Sequence, residues 1–172
     1  MQILDLFEIY PDIAIREHQA TMCDLLRCLI RITEREKAEK RNEKSKVNEL
    51  GLIDFADIES VSLKDDPCFR FLSQLDYSIL WKIECCVIIG RALYYEGEFD
   101  ETDLSSLHGY SDFDEYGDHV SLRDFNALAE IFDVPKTEKE GGNKTLLIEY
   151  VIGKKDIDLY LRAYLKANDI EV

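Results

Sequence analysis

The sequence has no apolar stretch long enough to cross a bilayer. Its most hydrophobic run, YSILWKIECCVIIG at residues 77–90, is short and carries Lys82 and Glu84, whereas a spanning helix needs about 20 mostly apolar residues. The opening residues do not read as a secretory leader either. MQILDLFEIYPDIAIREHQ places Asp5, Glu8 and Asp12 where a leader requires a basic head and an unbroken apolar stretch. Positive charge is scarce: 21 Lys and Arg stand against 36 Asp and Glu, a formal net charge of −15. Such a balance excludes unassisted binding to nucleic acid, whose affinity comes from cations neutralising phosphates, and it disfavours anionic membranes. It favours a partner with a basic surface.

Catalytic signatures are missing as well. There is no G-x-S-x-G turn, no phosphate-cradling P-loop and no dinucleotide fingerprint. His18 and Cys23 lie five residues apart and point to different parts of one helix, a poor nucleophile and base pair. Cys23, Cys28, Cys68, Cys85 and Cys86 form no C-x-x-C motif, so a structural zinc site is not expected. They are odd in number and sit mostly in apolar stretches, the pattern of thiols kept reduced in the cytosol. No cofactor is implied.

What is present reads as helices. With 172 residues and 46% hydrophobic composition, the chain can bury an ordinary single-domain core. Pro11 suits the first turn of a helix, and Met22, Leu25, Leu26, Leu29 and Ile32 or Thr33 recur at helical spacing. The mixed charges of residues 33–48 fit a helix extended into water or a linker. Residues 49–63 suggest a short helix. Asp66 and Pro67 then form a cap and first-position pair for another.

Residues 77–95 form a helix apolar on nearly every face, which places it at the centre of a bundle with Trp81 in the core. Gly90 weakens that helix but admits a close neighbour. Asp76 is expected to cap it, and Glu84 to pair with Lys82, Arg91 or a neighbouring helix. Ser121 and Asp124 have the S-x-x-D spacing of a capping box. DVPKTEKEGGNK reads as a loop and TLLIEYVIG as a helix, for want of a partner strand. Asp156 is expected to cap a last helix buried through Ile157, Tyr160, Leu161, Tyr164 and Leu165. The expected fold is all-α: one domain over residues 1–172, a bundle of about six to eight helices.

The segments WKIECCVIIGRALYYEGEFDE and LIEYVIGKKDIDLYLRAYLKANDIEV together resemble the bacterial family catalogued as domain of unknown function 3775. The shared features are an apolar helix ending in Gly90 and Arg91, an acidic segment, a helix closing on Gly153 and a Leu- and Tyr-rich last helix. The likeness covers roughly the last hundred residues. It implies a bacterial helical domain and supplies no catalytic residue.

The candidate binding region is residues 94–120. Glu96, Glu98, Asp100, Glu101, Asp103, Asp112, Asp114, Glu115 and Asp118 occur there without one Lys or Arg, interleaved with Tyr94, Tyr95, Phe99, Tyr110, Phe113 and Tyr116. Long-range attraction and aromatic anchoring together suit a non-enzymatic module of inhibitor, immunity or adaptor type that grips a basic protein. A calcium loop over Asp112, Asp114 and Gly117 fails, because position five is Tyr116 and position twelve is Arg123. The alternative is a metal-binding protein or enzyme using His108, His119 and a carboxylate from Asp112, Asp114 or Asp118.

Overall fold

The computed structural model describes residues 21–50, 63–96, 122 and 124–171. Six α-helices account for most of them: α1 (Met22–Leu50), α2 (Pro67–Ser73), α3 (Tyr77–Glu96), α4 (Phe125–Ile131), α5 (Lys144–Ile152) and α6 (Ile157–Ala167). Single 3₁₀ turns lie at Leu63–Asp65 and Glu138–Glu140. Among the described residues there is no strand, so the fold is the expected all-α bundle. No helix among them is long and apolar enough to cross a membrane.

Local chemistry sets most of the helix boundaries. Thr21 and Asp24 exchange bonds at the start of α1: the Thr21 N–H donates to Asp24 Oδ2 at 3.0 Å and the Asp24 N–H to Thr21 Oγ1 at 3.3 Å. That reciprocity satisfies two donors that a helix start leaves open. At α2, Asp66 Oδ1 accepts from the Phe69 N–H at 2.9 Å and Pro67 takes the first helical position, as the sequence predicts. Asn143 does the same for α5 through the Leu146 N–H, and Thr137 for the 3₁₀ turn that Gly141 closes at φ 94°.

Three predicted caps differ. At Asp76 the backbone carbonyl, not the carboxylate, accepts from Ile79 and Leu80. Helix α4 starts later than the S-x-x-D spacing suggests, because Asp124 is itself the N-cap, accepting from the Ala127 N–H. Asp156 stands at the N-cap of α6 but makes no side-chain cap bond. Its carboxylate accepts from Lys37 Nζ instead, since an ammonium within reach outcompetes a backbone amide.

Helix α3 is the axis of the bundle. Leu80, Trp81, Ile83, Cys85, Cys86, Val87, Ile89 and Leu93 are all buried, a distribution around the whole helix that only enclosure by neighbours can satisfy. Helices α4, α5 and α6 pack on it, and α1 reaches the core mainly through α6. Trp81 meets Phe125 of α4 edge to face, with centroids 6.3 Å apart. Arg27 of α1 binds the chain beyond α6 by donating to the Glu171 carbonyl. Among the described side chains of α1, the buried ones lie between Leu25 and Thr33. The helix nevertheless runs through the charged stretch to Leu50, about 44 Å in all.

The tightest approach is between α3 and α6. A Cβ built on Gly90 would lie 2.0 Å from the Tyr160 carbonyl oxygen and 2.6 Å from its carbon. The obstacle is backbone, which cannot rotate away. We therefore expect Gly90→Ala to destabilise the fold by about 3 kcal/mol, the upper part of the usual range for overpacking, despite the better helix propensity of Ala. Urea denaturation of the two proteins checks this, and an unchanged midpoint would contradict the packing.

Candidate functional site

Of the predicted contact residues, Glu98, Asp100, Glu101, Asp103, Tyr110, Asp112, Phe113, Asp114, Glu115, Tyr116 and Asp118 lie outside the described residues, as do His108 and His119. Glu96 is the last residue of α3. The aromatic pair that opens the segment is described. Tyr94 and Tyr95 are 44% and 66% exposed, and both rings lean on Tyr160 of α6, with centroids 5.6 and 6.0 Å away. The Tyr95 and Tyr160 hydroxyls are 3.2 Å apart. These rings stand at the surface where α3 leads into the acidic segment.

The distribution of charge is uneven. The described residues hold nineteen Lys and Arg against twenty-one Asp and Glu, a net charge of −2, so −13 of the chain's −15 resides in the remaining segments. The described helices and turns are therefore almost neutral.

Among these elements, a groove of about 510 Å³ lies where α1 passes α2 and the turn between α5 and α6. Its lining includes Lys37, Lys40 and Arg41 of α1, Asp66 and Cys68 of α2's start, and Lys154, Lys155 and Asp156 of the turn. Lys37 is its structural pin. The ammonium donates to Asp158 Oδ1 at 2.5 Å and to Asp156 Oδ1 at 3.2 Å, joining α1 to the start of α6. Desolvation lowers the Lys37 pKa, but its hydrogen bonds to Asp158 and Asp156 and the attraction of their charges outweigh it, and the net shift is upward. The Asp158 side chain is only 7% exposed. It is tolerated there because it is paired.

A second pair, Lys40 Nζ with Glu36 Oε1 at 2.5 Å, crosses one turn of α1 at the surface. Its carboxylate, with Asp66 and Cys68, has donor atoms within 4.8 Å of one another, the arrangement a metal ion would use. The chemistry argues otherwise. Lys40 already supplies the positive charge that this carboxylate needs, and with no metal cation beside its sulfur burial pushes the Cys68 thiol up to about 12. Its sulfur lies 3.5 Å from Thr33 Oγ1.

Nucleophilic chemistry fares no better at Cys85 and Cys86. None of the five cysteines is in a disulfide. Burial raises Cys85 to about 12 and Cys86 further, so neither is a thiolate at neutral pH.

Glu84 departs from its predicted salt bridge. It forms no ion pair among the described residues, while Lys82 lies over the rings of Trp81 and Phe125. Burial raises its pKa above the ordinary 4.5, and Lys154 offsets only part of that. Tyr77 and Tyr150 feel its charge in turn, their hydroxyls raised first by burial and then by Glu84. Lys154 Nζ sits 4.0 Å above the Tyr150 ring. The sequence shows the carboxylate on an apolar helix; it could not show which cations other contacts had claimed.

No family model, curated protein or solved structure matches the chain.

Two outcomes follow from these pairs. Lys37→Ala strands the buried Asp158 and should cost about 2–3 kcal/mol, whereas Lys40→Ala removes a surface pair and should cost under about 0.5 kcal/mol; chemical denaturation separates them. Glu84 has its pKa raised on folding, so its contribution is most favourable below pH 4.5 and is lost as pH rises through the folded value. Glu84→Gln should thus raise the melting temperature at neutral pH by about 2 °C, and the gain should vanish in acid. A gain independent of pH would contradict the assignment.

Proposed function

We propose that this protein is a cytoplasmic, non-enzymatic protein-binding module of inhibitor, immunity or adaptor type that engages a basic surface on another protein. The observation that carries this reading is the clustering of charge along the chain: residues 94–120 hold nine carboxylates without one Lys or Arg. A run of one sign with no compensating charge among its own residues supports attraction at long range and steered association.

The densest part, residues 97–118, supplies eight carboxylates, and the exposed rings of Tyr94 and Tyr95 precede it. Tyrosine beside charge is the composition of interface hot spots. A partner that itself binds nucleic acid would offer the complementary basic face. Five free thiols, four of them buried, accord with a reducing compartment. The family likeness at the Gly90–Arg91 helix end and the last helix is compatible with this role, since it brings no activity with it. The high thiol pKa values at Cys68 and Cys85 favour binding over nucleophilic catalysis at these residues.

The test is affinity capture from the source cells with the purified protein as bait, followed by kinetics on the captured partner. Changing Asp100, Glu101, Asp112 and Asp114 together to Asn or Gln should slow association by about tenfold or more at low salt. Raising ionic strength should slow the unaltered protein in the same way. Association indifferent to both changes would overturn the proposal.

A further inference from the structure

The groove beside Lys37 reverses the sign of its surroundings. Five of its lining residues are cations, Lys37, Lys40, Arg41, Lys154 and Lys155, and three are carboxylates, Glu36, Asp66 and Asp156. Its net charge is thus +2, while the rest of the described body is −4. Glu36 is paired with Lys40, and Asp156 shares Lys37 with Asp158, which stands behind the lining, so that the surplus over these four carboxylates is one charge. The lining's third carboxylate, Asp66, is engaged by the Phe69 N–H as the cap of α2.

Three cations are left over. Arg41 and Lys155 are exposed and have no ion pair among the described residues, and the contact made by Lys154 is to the Tyr150 ring. They come from two separate pieces of chain that the Lys37 pin holds together. The same pin draws Asp156 away from capping α6. The first N–H groups of an eleven-residue helix are therefore left without a side-chain acceptor, beside Ile157, which lines the groove. Guanidinium, ammonium and open helix amides are the three donor types that hold phosphate oxygens.

We propose that this groove binds a small soluble molecule through a phosphate group, with Arg41, Lys154 and Lys155 as its principal contacts. The volume, about 510 Å³, falls in the range of small-ligand sites. Size and charge together select against polymers. A nucleic acid or an anionic bilayer would also meet the chain's net charge of −15, whereas a compact phosphate among the cations is screened from charges more than about 8 Å away at physiological salt.

The experiment is a titration of the ¹⁵N-labelled full chain with sodium pyrophosphate, against sodium chloride at matched ionic strength. Pyrophosphate should give saturable amide shifts centred on Arg41, Lys154, Lys155 and Ile157, and chloride should not. Arg41→Gln and Lys155→Gln should each weaken binding by about tenfold. Lys166→Gln, near the far end of α6, should leave it unchanged. Both altered side chains are exposed, and circular dichroism confirms folding; should Arg41→Gln fail to fold, Lys155→Gln decides alone. Shifts that do not saturate, that chloride reproduces, or that survive both substitutions would overturn the proposal.

Discussion

The bundle depends on how closely α3 and α6 can approach. At Gly90 the absence of a side chain lets the Tyr160 carbonyl sit where a Cβ would otherwise be, and this seam is the most extensive between any two helices described. Everything else is arranged around it. With α6 drawn in, its stripe of Ile157, Leu161, Tyr164 and Leu165 is buried, and Tyr164 can donate to the Leu122 carbonyl. The first turns of α1 then close over the other side of α6. A glycine within a helix costs conformational entropy, and here that cost is offset by dispersion contacts between two helices at close range.

Much of the polar chemistry among the described residues serves the fold. Cys68 and Cys85 are buried in the core, and burial raises both thiols to about 12. The buried carboxylate of Asp158 is compensated by Lys37, and no buried side-chain nitrogen or oxygen among the described residues lacks a hydrogen-bond partner. Glu84 is the exception in kind. It is a half-buried acid whose charge is moderated by a lysine at longer range, and so it works against the fold at neutral pH.

The two proposed binding regions have opposite sign and different reach. The acidic segments hold a charge excess that a basic macromolecule would feel at a distance. The groove has only a small cationic surplus, effective over a few ångströms inside a concavity. They therefore do not compete for one ligand class. The lysine that joins α1 to α6 also frees the α6 amides, so one ion-pair network both holds the bundle and shapes the groove.

The architecture could be read from residue patterns because it rests on short-range rules. An all-round apolar helix at 77–95 must be central, Asp66–Pro67 must start a helix, and the stripe through Tyr160 and Leu165 must face inward. Even the close approach at Gly90 follows from a glycine in an otherwise strong helix. The side-chain partners did not follow, because they are set by contacts between helices, as where Lys37 meets Asp156, 119 positions along the chain. Asp156 looks like a cap until Lys37 is brought beside it, Glu84 looks paired until Lys82 is seen against Trp81, and Arg41 meets Lys154 and Lys155 only once α1 lies along the α5–α6 turn. Local periodicity decides which face of a helix is dry; which charge meets which depends on the packing of whole helices, and no local pattern encodes it.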